Sequence, residues 1–197
     1  MKRFLILLTV LTLALTVVLV SAIYLGWSGF FATTYETADP ADYLQIEGNH
    51  NNGSPERFVK TFFPEELENT FQDVRYHYKA VKFDTSACEV WLEFTLDSDA
   101  AFTGFLSEYD RRFSAVPFRD GWMEYPVSPD LWILMTGDGP NWEYAQMGKI
   151  LFRESDRRII FWALYVSDGG GTEVSELNRF FTTFGVDPME LATEVFN

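Results

Sequence analysis

Residues 74–96, VRYHYKAVKFDTSACEVWLEFTL, hold two runs of strict alternation whose reading decides the fold. In the first, Val74, Tyr76, Tyr78 and Ala80 alternate with Arg75, His77 and Lys79, the period of two that a half-buried strand requires. In the second, Val90, Leu92, Phe94 and Leu96 face one way while Glu89, Trp91, Glu93 and Thr95 face the other. The FDTSA stretch between them is turn-like, so the pair predicts a hairpin. Any register that joins the apolar faces also sets the basic row against the acidic row, which accounts for the charges as cross-strand pairs. His77 is accordingly expected to pair with Glu93 or a neighbouring acid.

Downstream, Asp97 or Ser98 can cap a helix with Phe102, Phe105, Leu106, Tyr109 and Phe113 on one face, placed against the apolar side of the hairpin. Pro117, Gly121, Pro126 and Pro129 interrupt the chain after this helix and leave room for a short strand at 131–135 before the turn GDGPN. Residues 149–153 and 158–166 read as a second hairpin around Ser155-Asp156, and its return strand, RIIFWALYV, is apolar on both faces and so belongs at the centre of a sheet. Gly169, Gly170 and Gly171 are expected to end that strand, ahead of a helix with Val174, Leu177, Phe181 and Phe184 inward and Gly185 as its stop. Asp187-Pro188 would open a last short helix, as Ser54-Pro55 opens one that Pro64 ends or kinks. Strands grouped in hairpins with helices inserted between them predict an α+β fold, an antiparallel sheet with helices packed on it.

Upstream, the run from Phe4 to Trp27 is uncharged and broken only by threonine and serine. About 20 apolar residues cross a bilayer core, so this segment is expected to be a single transmembrane helix. Lys2 and Arg3 precede it and Glu36 is the first charge after it, which puts the N-terminus in the cytoplasm and the remainder outside. A cleavable signal peptide is the competing reading, since Val20-Ser21-Ala22 suits a peptidase, although the apolar run continues past that point. The expected organisation is an anchor at 1–28, a juxtamembrane linker at 29–53, within which Asp39-Pro40 can start a short helix, and one extracytoplasmic domain at 54–197.

Charge and composition exclude several functions. With 47% hydrophobic and 17% aromatic residues the chain has material for a core and is not disordered. Formal net charge is -14, and beyond Lys2 and Arg3 there are 13 basic against 29 acidic residues, a surface that repels nucleic acid. Cys88 is the single cysteine, so no intramolecular disulfide forms. The stretch FPEELENTFQDVRYHYK, a Phe-Pro pair ahead of a strand rich in aromatics, resembles uncharacterised membrane- or lipid-anchored bacterial envelope proteins. That resemblance implies an envelope location and carries no activity with it.

Candidate chemistry is sparse. With His50 in the polar stretch and His77 on a charged strand face, the two histidines offer neither a metal cluster nor a nucleophile relay, so no catalytic residue, metal or cofactor is assigned. Cys88 is read as a packing residue and Gly169–Gly171 as a backbone turn, because Asp168 and Glu173 flank those glycines where an anion would lie. Exposed tryptophan beside carboxylates and amides can grip a sugar ring, which makes Trp142 in PNWEY, Trp122 in DGWMEY and Asp138 the candidate ligand-binding residues. The expected function is a membrane-tethered, non-catalytic binding or accessory domain, with an envelope protein or wall polymer as partner. A hydrolase using paired carboxylates and a carbohydrate- or calcium-binding module are the alternatives.

Overall fold

The computed structural model describes residues 2–25, 33–46, 55–82, 86–136, 139–172 and 179–186, and the side chains among them except those of 2–11, 24–25, 33, 81–82, 86, 128–136, 139–145 and 167–172. Contacts divide the chain into two units, Met1–Thr33 and Thr34–Asn197.

The first unit holds helix α1, Lys2–Leu25. Thr16 donates its hydroxyl to the carbonyl of Thr12 one turn back at 2.9 Å, which satisfies the polar group within the helix. Among the described residues no helix is long and apolar enough to cross a membrane. The transmembrane helix expected over Phe4–Trp27 is therefore withdrawn from the fold.

The second unit is built on a seven-stranded sheet in the order β1-β2-β3-β7-β6-β5-β4. The strands are β1 Thr33–Thr37, β2 Phe71–Lys82, β3 Ser86–Leu96, β4 Val116–Pro117, β5 Met123–Thr136, β6 Gly139–Arg153 and β7 Arg158–Thr172. Helices are few and short beside them: α2 Pro55–Val59, α3 Asp99–Asp110 and α4 Arg179–Phe184. The fold is thus a mostly antiparallel sheet with few helices, which corrects the α+β expectation. Its cause lies in strands longer than local breakers suggest. Pro126 sits within β5 opposite Lys149, and the ladder shifts between Val127 and Asp130, so Pro129 falls in an irregularity where no amide is needed. Gly169–Gly171 continue β7 instead of ending it, because β6 runs alongside as far as the pairing of Trp142 with Thr172. The helix expected at 174–184 is described only as α4, and the last expected helix lies outside the described residues.

The first hairpin is as its alternation predicts, with Tyr76 opposite Leu92 and Tyr78 opposite Val90. Ser98 caps α3, accepting from the amide of Ala101, and Phe102, Leu106 and Tyr109 are buried. From the end of β3, α3 carries the chain across one face of the sheet to its far edge. Phe105 packs on Phe94 of β3, Phe102 on Phe152 of β6 and Tyr109 on Tyr125 of β5. The chain then returns through β4, β5 and β6, and β7 closes against β3 with Phe161 opposite Leu92. The residues expected to form a linker contribute β1 and a short helical turn, Pro40–Asp42, capped by Asp39; beyond it Ile46 is buried in the core. Phe62 lies so close to β6 that a Cβ at Gly148 would stand 2.5 Å from its ring. These side chains form a dry aromatic core on the first face.

The second face is of another kind. Trp91, Trp162, Met147, Leu151, Ile160 and Leu164 pack there beneath Phe180 and Phe181 of α4. Among them His77, Glu89, Glu93 and Lys149 are buried as well. Gly185, at a positive φ of 60°, ends α4, and the amide of Val186 bonds back to the carbonyl of Phe181 at 3.1 Å.

Candidate functional site

A groove of about 670 Å³ runs over the second face between β1, α4 and the turn before β5. Arg75, His77 and Lys79 of β2 project into it, as do Glu89, Trp91 and Glu93 of β3, for the reason that gave the alternation: successive residues of a strand point to opposite faces. Arg158 arrives from β7, Arg153 from β6 and Arg179 from α4. Five Lys and Arg residues therefore line this groove against four acids, Glu36, Glu89, Glu93 and Asp120, in a chain of net charge -14.

The ladder does set Arg75 opposite Glu93 and Lys79 opposite Glu89. The side chains nevertheless pair elsewhere, because β3 lies inside the sheet and β7 and α4 compete for its carboxylates. Glu93 takes Arg158 Nη1 at 3.0 Å. Glu89, 1% exposed, turns to the first turn of α4 and accepts from the amides of Arg179 at 3.1 Å and Phe180 at 3.0 Å, and from the Trp162 indole at 2.9 Å. A buried carboxylate is thereby satisfied by three donors at the positive end of a helix. His77 Nε2 lies 2.8 Å from Glu36 Oε1 of β1, so its partner is this acid and not Glu93. The hydrogen bond from His77, aided by the charges of Lys79 and Arg179, holds the Glu36 carboxyl below the usual carboxylate range against a smaller opposing effect of burial.

Three of the five cations remain uncommitted. Among the described residues Arg75, Lys79 and Arg179 have no carboxylate at ion-pair distance. The Arg179 guanidinium instead lies over the Trp91 ring, 5.4 Å from its centre. Among the described residues, two buried nitrogens of groove-lining side chains, Trp91 Nε1 and His77 Nδ1, have no hydrogen-bond partner.

Of the residues singled out for ligand binding, Trp122 borders the groove; it is 7% exposed, with the Arg153 guanidinium over its ring at 4.6 Å and Phe184 packed edge-on at 5.9 Å. Trp142 belongs to β6, its backbone paired with Ile133 and Thr172, while its side chain and Asp138 lie outside the described residues. Burial pushes the Cys88 thiol up to about 12, leaving it protonated. Among the described residues no group of three or more His, Cys, Asp or Glu side chains is arranged to hold a metal ion. Sequence reasoning passed over Trp91, Arg179 and Arg158, whose convergence depends on β7 lying beside β3. The one local signal was a tryptophan set between two glutamates on a polar strand face.

The site thus defines a class, a closed-core antiparallel sheet that carries a cation-lined groove on one face. No protein-family model matches the chain, and neither curated proteins nor solved structures supply a match.

Proposed function

We propose that the domain is a non-catalytic binding module that holds an anionic ligand in the groove of its second face. The observation that carries this reading is the cluster of Arg75, Lys79 and Arg179, three cations without carboxylate partners among the described residues, in a domain that is otherwise strongly acidic. Uncompensated charge of one sign lining a concave site is how proteins raise the local concentration of a counter-ion. Overall repulsion does not prevent this, since charges beyond about 8 Å are screened at physiological ionic strength while contacts within the groove are not. An acidic segment of an envelope protein, or an acidic wall polymer, would supply such a ligand.

A hydrolase needs a carboxylic acid kept protonated beside an ionised one. Here Glu89 and Glu93 are engaged by donors and Glu36 is held below its ordinary range, which favours binding over acid catalysis. The test is calorimetric titration of the full-length protein with poly-L-glutamate. Binding should weaken as salt rises, and the triple variant Arg75→Ala, Lys79→Ala, Arg179→Ala should lose about tenfold or more, roughly 1.4 kcal/mol. Binding that is equal in wild type and variant would place the ligand elsewhere, and no binding at low salt of poly-L-glutamate, polygalacturonate or polyphosphate would end the proposal.

A further inference from the structure

Of two indoles that stand side by side on the second face, one, Trp91, lines the groove. Trp91 of β3 and Trp162 of β7 are direct partners across the ladder, 1% and 0% exposed. Trp162 donates its Nε1 hydrogen to Glu89 at 2.9 Å. Trp91 Nε1 is buried too and has no acceptor among the described residues. An indole nitrogen can only donate, and burying a donor unpaired is costly enough that folded proteins rarely do it without a purpose. Across the other ladder from Trp91 stands His77, whose Nδ1 is likewise unpartnered. Glu36, held ionised, can only accept, so His77 Nε2 carries the hydrogen they share.

Resting on the groove's role as an anion site, we infer that the chemical group it recognises is a carboxylate, which accepts from Trp91 Nε1 and lies against the Arg179 guanidinium. It takes at Trp91 the position that Glu89 takes at Trp162. Three observations select a carboxylate over a phosphoryl group. The chain itself fills the neighbouring indole with a carboxylate. The backbone amides at the start of α4, the donors that commonly cradle phosphate, are already occupied by Glu89. Glu36 and Glu93 line the same groove, and a phosphoryl dianion would face them with twice the charge of a carboxylate. Arg179 covers the Trp91 ring, so entry requires its long side chain to swing aside. The guanidinium then forms a charge-assisted bond to the same carboxylate.

The six tryptophans of the full-length protein give six indole N–H signals in a nitrogen-correlated proton spectrum, and that of Trp91 is identified by through-bond assignment, which needs no variant. Poly-L-glutamate and polygalacturonate present carboxylates on unlike backbones, and polyphosphate presents phosphoryl groups at comparable charge. The expected result is a downfield shift of the Trp91 signal with one or both carboxylate polymers, an unmoved Trp162 signal, and an affinity at least tenfold lower in Trp91→Phe. A response to only one carboxylate polymer identifies which backbone the site accepts. Binding of a carboxylate polymer with the Trp91 signal unmoved by both overturns this inference and leaves the anion groove standing; a larger Trp91 shift with polyphosphate overturns the choice of carboxylate. If none of the three polymers binds, the groove reading and this inference fall together.

Discussion

The two faces of the sheet bury their residues on different terms. Under α2 and α3 the first face is closed by aromatic and aliphatic side chains, with Phe94, Phe161, Tyr78 and Leu92 essentially inaccessible. Under α4 the second face buries side chains of comparable size, Trp91 and Trp162, but takes Glu89, Glu93, His77 and Lys149 in with them. On the first face stability follows from apolar area and fit. On the second each buried polar group must also find a partner, and the one indole that does is held by a carboxylate. A sheet whose strands alternate can thus commit one face to cohesion and leave the other to carry chemistry.

The largest expected effect tests the cohesive face. Leu92 is fully buried between β2 and β7, so Leu92→Ala should cost about 2–5 kcal/mol through lost transfer energy and the cavity left behind. Chemical denaturation measures this, and a loss below half a kcal/mol would show that the first face is not the principal core. Next comes the contrast between the indoles. Trp162→Phe leaves Glu89 without one of its three donors, whereas Trp91→Phe removes a donor that has no acceptor, so the first should be the more destabilising by about 1–3 kcal/mol. Equal losses in the two unfolding curves would erase the difference between occupied and vacant indoles.

Fit on the first face can be probed from the opposite direction. Gly148→Ala drives a methyl group into the Phe62 ring and against Val127, and overpacking of that kind should cost about 1–3 kcal/mol. Combining it with Phe62→Leu should recover part of the loss; if the double variant is as unstable as the sum of the single ones, the cause is the backbone of β6 and not the ring.

The smallest effect concerns acid. Glu36 and Asp156 are both held below their ordinary values of 4.5 and 3.8, Glu36 chiefly by its hydrogen bond with His77 and Asp156 by that with Arg153. Because the folded state lowers these values, the stability they contribute is full above the unfolded values and is lost as pH falls below them. Both are substantially exposed, so the loss is modest. Unfolding free energies of wild type and Glu36→Gln, compared at pH 7 and pH 3.5, should converge on acidification. A gap that widens at low pH would reverse the sign.

The cohesive face was legible in advance because its information is local. The period-two runs at 74–96 specify which residues meet, and Tyr76 opposite Leu92 follows from nothing more than joining the apolar sides. Ser98 as a cap and 158–166 as a central strand were readable for similar reasons, a side-chain oxygen at a helix start and a run apolar on both faces. Strand length was not, since Pro126 and Gly169–Gly171 look like breaks until a neighbouring strand shows that the ladder passes through them. Nor were the ion pairs of the second face. The basic and acidic rows suggest each other as partners, but Arg158 and α4, more than 60 residues further on, take Glu93 and Glu89 instead.

By itself, then, the sequence determined that this chain forms amphipathic strands and which residues of the first hairpin face a core. Only the tertiary structure decided that the strands join into one seven-stranded sheet with few helices, and that three uncommitted cations and an unpaired indole meet over its second face. The physical reason is range. Periodicity and capping act between residues a few positions apart and leave their mark on composition at that spacing. The partner of a buried charge is chosen by whichever group the folded chain brings within about 3 Å, and sequence spacing carries no record of that distance.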